Sequence, residues 1–295
     1  MPTLKTTQEY KMLNTAHSTA RLSAVSTAVS TAVSTALSTR SPRLDRAPAA
    51  RPAALFLTDA DRPGQIADTL KMLSDLLAPQ RRVVHAGDVI YQGGEHFGTL
   101  YILNAGFFKI VNQSADGREQ VVGLKFRGDW LGFDGIACGR YCCDAIAMDT
   151  GEVWAIAYPM LMVACADQPL LLQRLHEAMS REIAHDRDSL MSVCTLPAAA
   201  RVADFLRYWA ESLANRGLRT DLFTLRMTRA EIGNYLGMTL ESVSRALSRL
   251  ARDGVIAFTG KGRRDLRIPD VAALSAFVQR CLAPASLPKP APTLQ

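Results

Sequence analysis

The chain has 295 residues, which predicts two domains plus tails, and 34 Lys and Arg against 28 Asp and Glu give it a net charge of +6. No run approaches the roughly 18 apolar residues of a membrane span, and the N-terminus lacks the apolar core of a secretion signal. We therefore expect a cytoplasmic protein with no membrane partner, whose six cysteines are reduced thiols rather than a disulfide framework.

Residues 1–55 are of low complexity, and the sequence Ser-Thr-Ala-Val repeats with a period of four from Ser26 to Leu37. Serine and threonine are poor helix formers because their hydroxyls compete for backbone hydrogen bonds. We predict a disordered or weakly helical tail. Translation starting at Met12 or later remains an alternative.

Residues 56–165 are predicted to form one domain, the β-roll. Residues 65–77 have the pattern of a short amphipathic helix. From residue 81 to about 157, short apolar segments alternate with glycines, which is typical of a small antiparallel barrel or roll. The clearest predicted strands are 100–103, 107–111 and 119–124.

Three cysteines, Cys138, Cys142 and Cys143, lie close together near the end of this domain. Three interpretations are open for these cysteines: inert small residues, a thiol redox switch, or ligands of a metal or cluster. Adjacent cysteines rarely both point at one metal, which counts against the last alternative. Arg140 lies between them, and we expect its charge to lower the pKa of a neighbouring thiol.

Residues 166–196 are predicted to form a dimerisation helix. Seven side chains are spaced four, three, four, three, four, three, as in a coiled-coil seam, and all but two are apolar. The alternative is a helix packed on its own barrel. In a parallel dimer the acidic member, Asp186, faces its symmetry mate, so like charges oppose assembly. The seam comprises Leu172, His176, Met179, Ile183, Asp186, Leu190 and Val193.

Residues 197–280 have the pattern of a winged helix-turn-helix domain, followed by a Pro-rich tail over 281–295. Thr228 and Glu231 have capping-box spacing, Gly237 suits a left-handed turn, and Thr239 is placed to cap a second helix. Gly233 lets that helix approach closely. The buried stripe of the second helix is Val243, Leu247 and Leu250.

The opposite face of this second helix offers Glu241, Ser244 and Arg245. Arginine bonds guanine O6 and N7 together, and glutamate accepts from cytosine N4, so these residues are predicted to read DNA bases. The alternative for Glu241 and Arg245 is a surface ion pair. Residues 197–268 carry 13 Lys and Arg against 7 Asp and Glu, whereas residues 81–160 carry 7 against 9, so the basic excess lies in the predicted DNA-binding domain.

Two short strands, 255–258 and 266–268, flank a glycine-rich turn and predict a wing. Its cations are expected to reach phosphates, although a solvated basic hairpin tip is the alternative. The predicted contacts to the DNA backbone are Thr228, Thr239, Ser242, Lys261, Arg263 and Arg264.

Residues 65–280 resemble the CRP/FNR family of bacterial transcription regulators, and the FNR branch in particular. The resemblance lies in residues 128–136 (GDWLGFDGI), 227–237 (MTRAEIGNYLG) and 239–245 (TLESVSR). It implies an α+β fold: an N-terminal antiparallel β-roll of the cyclic-nucleotide-binding type, a long dimerisation helix and a C-terminal winged helix-turn-helix. It also implies a homodimer on double-stranded DNA with TTGA-type palindromes, and RNA polymerase as a partner.

The chain departs from the family at both known ligand sites. No cysteine precedes Cys138, and Trp154 stands where the barrel ligand of the FNR iron–sulfur cluster is expected, so the standard cluster is disfavoured. Phe133 replaces the glutamate of cyclic-AMP-binding members, and Cys142 and Cys143 stand near their Arg-Ser pair, so cyclic AMP is disfavoured too. No cofactor is assigned. The three cysteines fall in the ligand cassette of the family, which makes them a candidate redox sensor.

Two other kinds of function compete with this one. A small-barrel metal enzyme of the cupin type needs a His-x-His pair, but His85 and His96 are eleven apart, and no catalytic signature occurs elsewhere. We therefore expect no enzyme and no metal site. A cyclic-nucleotide- or haem-responsive regulator of the same fold is the second alternative, with His85 and His96 interpreted as turn residues rather than haem ligands.

Overall fold

The computed structural model describes residues 61–260 and 264–283. The predicted low-complexity tail, Lys261, Arg263 and most of the Pro-rich tail lie outside the described residues. The described chain begins with helix α1, Arg62–Leu77, which starts three residues before the predicted helix because Pro63 is well suited to a first helical turn.

An antiparallel β-roll follows, as predicted. Its two four-stranded sheets have the orders β1-β8-β3-β6 and β2-β7-β4-β5, and a short helix α2, Gly135–Cys138, follows β6. The eight strands are β1 Gln80–Val84, β2 Val89–Tyr91, β3 Thr99–Ala105, β4 Phe108–Gln113, β5 Glu119–Lys125, β6 Trp130–Leu131, β7 Asp144–Ala147 and β8 Gly151–Ala157.

Strand β5 lies at an edge of its sheet and, among the strands that the structure describes, pairs only with β4.

The turn between β3 and β4 requires glycine. Gly106 has φ +93°, and a Cβ there would lie 2.8 Å from Cα of Gly151 at the start of β8. Glycines therefore let β3, β4 and β8 approach closely.

Two helices connect the roll to the C-terminal part: α3, Tyr158–Asp167, and α4, Pro169–Thr195. The sequence pattern did not predict α3 as a separate helix. Leu171 and Leu175 of α4 are buried against the roll, so the alternative of a helix packed on its own barrel holds for that face. Of the predicted seam, Leu172 also packs against the core of the roll, and Val193 Cγ1 would lie 3.5 Å from a Cβ on Gly237. Ile183 and Leu190 are 49% and 65% exposed in the single chain.

The C-terminal part contains α5 Ala198–Ala214, β9 Leu222–Thr224, α6 Arg229–Leu236, α7 Leu240–Arg252, β10 Ala257–Phe258, β11 Asp265–Arg267 and α8 Val271–Leu282. Its sheet has the order β10-β11-β9, so the wing has a third strand, β9, that the pattern did not predict. Val255 and Ile256 were predicted as strand residues, but both are buried in the core before β10 begins.

The hydrophobic interior forms two clusters. One fills the roll and extends to α1, α3 and the start of α4. The other joins the helix-turn-helix domain to the outer face of the roll, including Val121 of β5 and Phe126. At its centre the Trp209 ring of α5 is fully buried and lies 5.7 Å from the Phe107 ring and 5.3 Å from the Phe126 ring. The helix-turn-helix domain therefore shares a core with the β-roll.

Candidate DNA-binding site

The first helix of the motif, α6, begins at a complete capping box. The Thr228 hydroxyl accepts a hydrogen bond from the Glu231 backbone N–H at 3.2 Å, and the Glu231 carboxylate accepts from the Thr228 N–H at 2.8 Å. Gly237 ends the helix with φ +63°, a left-handed conformation that glycine adopts without strain. Both features are as the sequence predicted.

The turn between α6 and α7 is tight because of a second glycine. A Cβ on Gly233 would lie 2.6 Å from the carbonyl oxygen of Met238, so the close neighbour is the backbone of the turn rather than the body of the second helix. Thr239 caps α7 by accepting from the Ser242 N–H at 3.2 Å. The predicted stripe of Val243, Leu247 and Leu250 is buried.

The opposite face of α7 is accessible to solvent. The Glu241 and Arg245 side chains are 76% and 77% exposed, and they form the predicted alternative, an i,i+4 ion pair with an N–O distance of 2.8 Å. Exposed pairs of this kind contribute only about 0.3–0.5 kcal/mol, which base contacts can readily replace. The ion pair is therefore compatible with base reading.

Ser244 has a partner that the sequence analysis missed. The Arg229 guanidinium, at the start of α6, lies 3.4 Å from the Ser244 hydroxyl and 5.8 Å from the Phe258 ring centroid. Arg229 thus adds a cation beside the recognition helix. The position of Arg229 directly after the capping Thr228 could have indicated this contact, because it places Arg229 at the start of α6.

Four of the predicted phosphate-binding residues lie in the described part of the chain. Thr239 is the N-cap of α7, Ser242 lies in the first turn of that helix, and Thr228 is the N-cap of α6. Arg264 is exposed beside β11, and its carbonyl accepts from the Leu225 N–H at 2.9 Å.

The cysteine loop differs from the expectation. The Arg140 guanidinium donates a hydrogen bond to the Gly94 carbonyl at 2.7 Å. Loss of solvent and the Asp134 carboxylate raise the pKa of Cys142, and the same two causes raise the pKa of Cys143 to about 11. The expectation that a thiol pKa is lowered is therefore wrong for these two residues, while Cys138 is exposed.

Aromatic rings surround this loop and fill the roll. Phe133 stacks on Trp130 with centroids 6.2 Å apart, and Tyr91 stacks on Tyr141 at 4.0 Å. The Trp154 indole donates to Glu152 at 2.5 Å. These contacts leave Phe133 and Trp154 as packing residues.

The two histidines of the roll both lie at its surface. His85 is exposed, with Nδ1 3.4 Å from the Thr150 hydroxyl, and His96 is exposed in a bridge to Arg140. Within residues 61–260 and 264–283, no group of three or more His, Cys, Asp and Glu side chains is arranged to hold a metal. None of the helices in this described part has the length and apolar character needed to cross a membrane.

Two family models match the chain. The Crp-like helix-turn-helix domain matches residues 200–277, and the cyclic nucleotide-binding domain matches residues 81–167. The solved structure of FixK2 from Bradyrhizobium japonicum is similar to this chain, with a TM-score of 0.59 and 26% identity, covering 67% of this chain and 96% of that one.

Curated relatives are regulators too. Electron transport regulator A of Shewanella oneidensis is 33% identical over 195 residues, which cover 66% of this chain and 78% of that protein. The fumarate and nitrate reduction regulatory protein of Escherichia coli K12 is 33% identical over 187 residues, 63% of this chain and 75% of that protein. With the winged helix-turn-helix and the roll in place, the chain belongs to the CRP/FNR family of transcription regulators.

Proposed function

We propose that this regulator binds palindromic DNA with TTGA-type half-sites as a two-fold homodimer, one half-site per subunit. The observation that carries the proposal is the exposed face of α7, on which Glu241, Ser244 and Arg245 follow a helix N-terminus in the order that suits base reading. Thr228, Thr239, Ser242, Lys261, Arg263 and Arg264 contact the DNA backbone. The basic excess of this domain supplies the attraction to phosphates.

The dimer interface in this proposal is the outward stripe of α4. Ile183 and Leu190 are large apolar side chains that the single chain leaves about half exposed or more, whereas Leu171 and Leu175 already pack on the roll. A second α4 covering the stripe removes this apolar surface from water. Six of the seven seam positions are proposed as interface residues: Leu172, Met179, Ile183, Asp186, Leu190 and Val193.

The remaining partners follow from the proposed role. The protein acts in the cytoplasm, where the promoter DNA is, and RNA polymerase is the second macromolecular partner. We assign no catalytic activity to the chain.

Binding to two duplexes tests the proposal. A duplex containing TTGAT-N4-ATCAA is expected to bind about 10³-fold or more tightly than a scrambled duplex of equal length at the same salt concentration. Gel shifts or fluorescence anisotropy measure both dissociation constants, and the shifted complex should contain two chains. Equal affinity for the two duplexes would contradict base reading. Equal affinity is the result expected of a nucleotide-binding module or of an enzyme without DNA function.

For the signal, we propose thiol chemistry at Cys138, Cys142 and Cys143. The roll offers cyclic AMP no carboxylate at Phe133, and aromatic rings pack beneath the loop. Asp186 of α4 contributes to the raised pKa of Cys143. We propose that a change in the loop is transmitted to the seam.

Mild peroxide tests this proposal. Peroxide oxidises the exposed Cys138 to a sulfenic acid with release of water, and attack by the Cys142 thiol then gives a disulfide and a second water. We expect specific DNA affinity to fall severalfold in the wild type and to stay constant in a triple Cys→Ser variant. Cys194→Ser, which removes an exposed thiol outside the loop, should respond like the wild type. An unchanged response in the triple variant contradicts the assignment, and cyclic AMP should not raise the affinity of any of these proteins.

A further inference from the structure

The edge strand β5 has backbone groups that β4 does not pair, and one side chain of the helix-turn-helix binds two of them. The Asn234 carbonyl Oδ1 accepts from the Val121 N–H at 2.6 Å, and its Nδ2 donates to the Glu119 carbonyl at 2.7 Å. Residues two apart in a strand present such groups on the same edge. The side-chain amide of Asn234 therefore continues the ladder of the sheet by one unit.

The contact is reciprocal. The Gln120 side-chain amide, from the roll, donates to the backbone carbonyl of Asn234. That same carbonyl accepts from the Gly237 N–H at 3.3 Å, inside the turn that leads to α7. Strand β5 is thus bound to the last residues before the recognition helix.

A second anchor holds the same helix face one turn earlier. The Lys109 ammonium of β4 lies 2.6 Å from the Glu231 carboxylate, and both side chains are partly buried. Glu231 and Asn234 are three residues apart, so they share a face of α6. Because the second oxygen of Glu231 caps α6, one carboxylate both starts the helix and attaches it to the roll.

Further anchors hold the rest of the domain. The Arg216 guanidinium lies 2.6 Å from Asp129, and that of Arg226 lies 3.0 Å from Asp149. These pairs fix the domain on the roll at a distance from the turn. Asn234 differs from them because it sits beside the turn into α7.

We infer that Asn234 is a positioning residue for DNA recognition, which fixes the orientation of α7 by docking α6 on strand β5. The docked state leaves the Glu241 and Arg245 side chains exposed, so it presents the base-reading face instead of covering it. Two recognition helices must lie about one turn of DNA, roughly 34 Å, apart on the two half-sites. A domain held in that orientation before binding loses less freedom on binding. This inference rests on the proposed function, because its consequence is measured on specific DNA.

The first experiment needs no DNA. In the full-length protein, Asn234→Ala removes the acceptor of the Val121 N–H, so the exchange of that amide with solvent, followed by NMR, should become at least about tenfold faster. Asn215→Ala, which removes another amide side chain from the same domain at the exposed end of α5, should leave the exchange unchanged. Unchanged exchange in Asn234→Ala would overturn the docking.

The second experiment measures the consequence. Asn234→Ala should weaken binding to the TTGAT-N4-ATCAA duplex about tenfold and leave binding to the scrambled duplex unchanged. Gln120→Ala, which removes the partner on the roll and leaves the helix-turn-helix sequence intact, should act in the same direction, so the result does not depend on Asn234→Ala folding well. Faster exchange with unchanged or higher specific affinity would overturn the positioning role. If the wild type itself shows no duplex preference, the proposed function fails, and the exchange measurement still decides the docking.

Discussion

Ile183→Glu is expected to convert the protein to monomers and to abolish specific DNA binding. Ile183 is 49% exposed in the single chain, at the middle of the proposed seam on α4. Each subunit would lose the burial of a large apolar side chain, about 1.5–3 kcal/mol, and would bring a mirrored negative charge to the interface. A monomer contacts one half-site only, so the gain from joining two binding modules disappears.

Sedimentation and the two-duplex binding assay measure this effect. Ala184→Glu is the matched control, because Ala184 is the exposed neighbour of Ile183 on α4, outside the seam, and gains the same charge. It should remain dimeric and bind specifically. A dimeric Ile183→Glu protein with normal specific affinity would contradict the seam.

Substitution of Asp186, the acidic residue of the seam, is expected to have the opposite effect on the stability of the dimer. Asp186 is exposed in the single chain, and a two-fold axis would place its carboxylate near that of its mate. Asp186→Ala removes this repulsion, so the dimer should become tighter. If Asp186→Ala dissociates more readily in sedimentation, the residues assigned to the seam are wrong.

Arg245→Ala is expected to reduce affinity for the matched duplex by about 1–3 kcal/mol, or roughly 5- to 150-fold, and to relax the preference for guanine. The reason is the loss of two hydrogen bonds to one base edge. In the free protein only the weak pair with Glu241 is lost, so the stability of the fold should hardly change. Anisotropy titrations with single-base variants of the half-site measure both effects.

Two cationic controls separate base reading from simple charge. Lys261→Ala should weaken binding to all duplexes alike and reduce the salt dependence by about one counterion. Arg249→Ala removes a charge from the far end of α7, where Arg249 lies over the Phe277 ring, and should likewise leave the sequence preference intact. An equal loss on specific and scrambled DNA for Arg245→Ala would remove it from the base-reading set.

The local features of the DNA-binding motif were predictable because they depend on neighbours in sequence. The capping box at Thr228, the left-handed Gly237 and the stripe from Val243 to Leu250 each follow from spacing within one or two helical turns. The strands of the roll were predictable for the same reason, since glycine-rich turns separate them. Helix α3 was missed because its sequence is almost entirely apolar and lacks the polar face that marks an amphipathic helix.

What sequence spacing did not predict depends on distant residues. Strand β9 forms only because β11 lies beside it, and its three residues carry too little pattern alone. Arg140 was expected to act on its neighbours Cys138 and Cys142, but Gly94, far away in sequence, provides its acceptor. The role of Asn234 was equally hidden, because its partners are more than 110 residues away along the chain.

The shared core around Trp209 changes how loss-of-function variants should be interpreted. Phe107 and Phe126 belong to the roll, yet their rings complete the interior of the DNA-binding domain. A substitution at either position is therefore expected to destabilise the helix-turn-helix domain, even though the residue belongs to the β-roll. In a genetic screen, mutants at Phe126 and at Arg245 would share a phenotype while differing in protein half-life. Measuring the abundance of each variant in the cell therefore distinguishes residues that support the recognition helix from residues proposed to contact the bases. The position of a residue along the chain does not make this distinction.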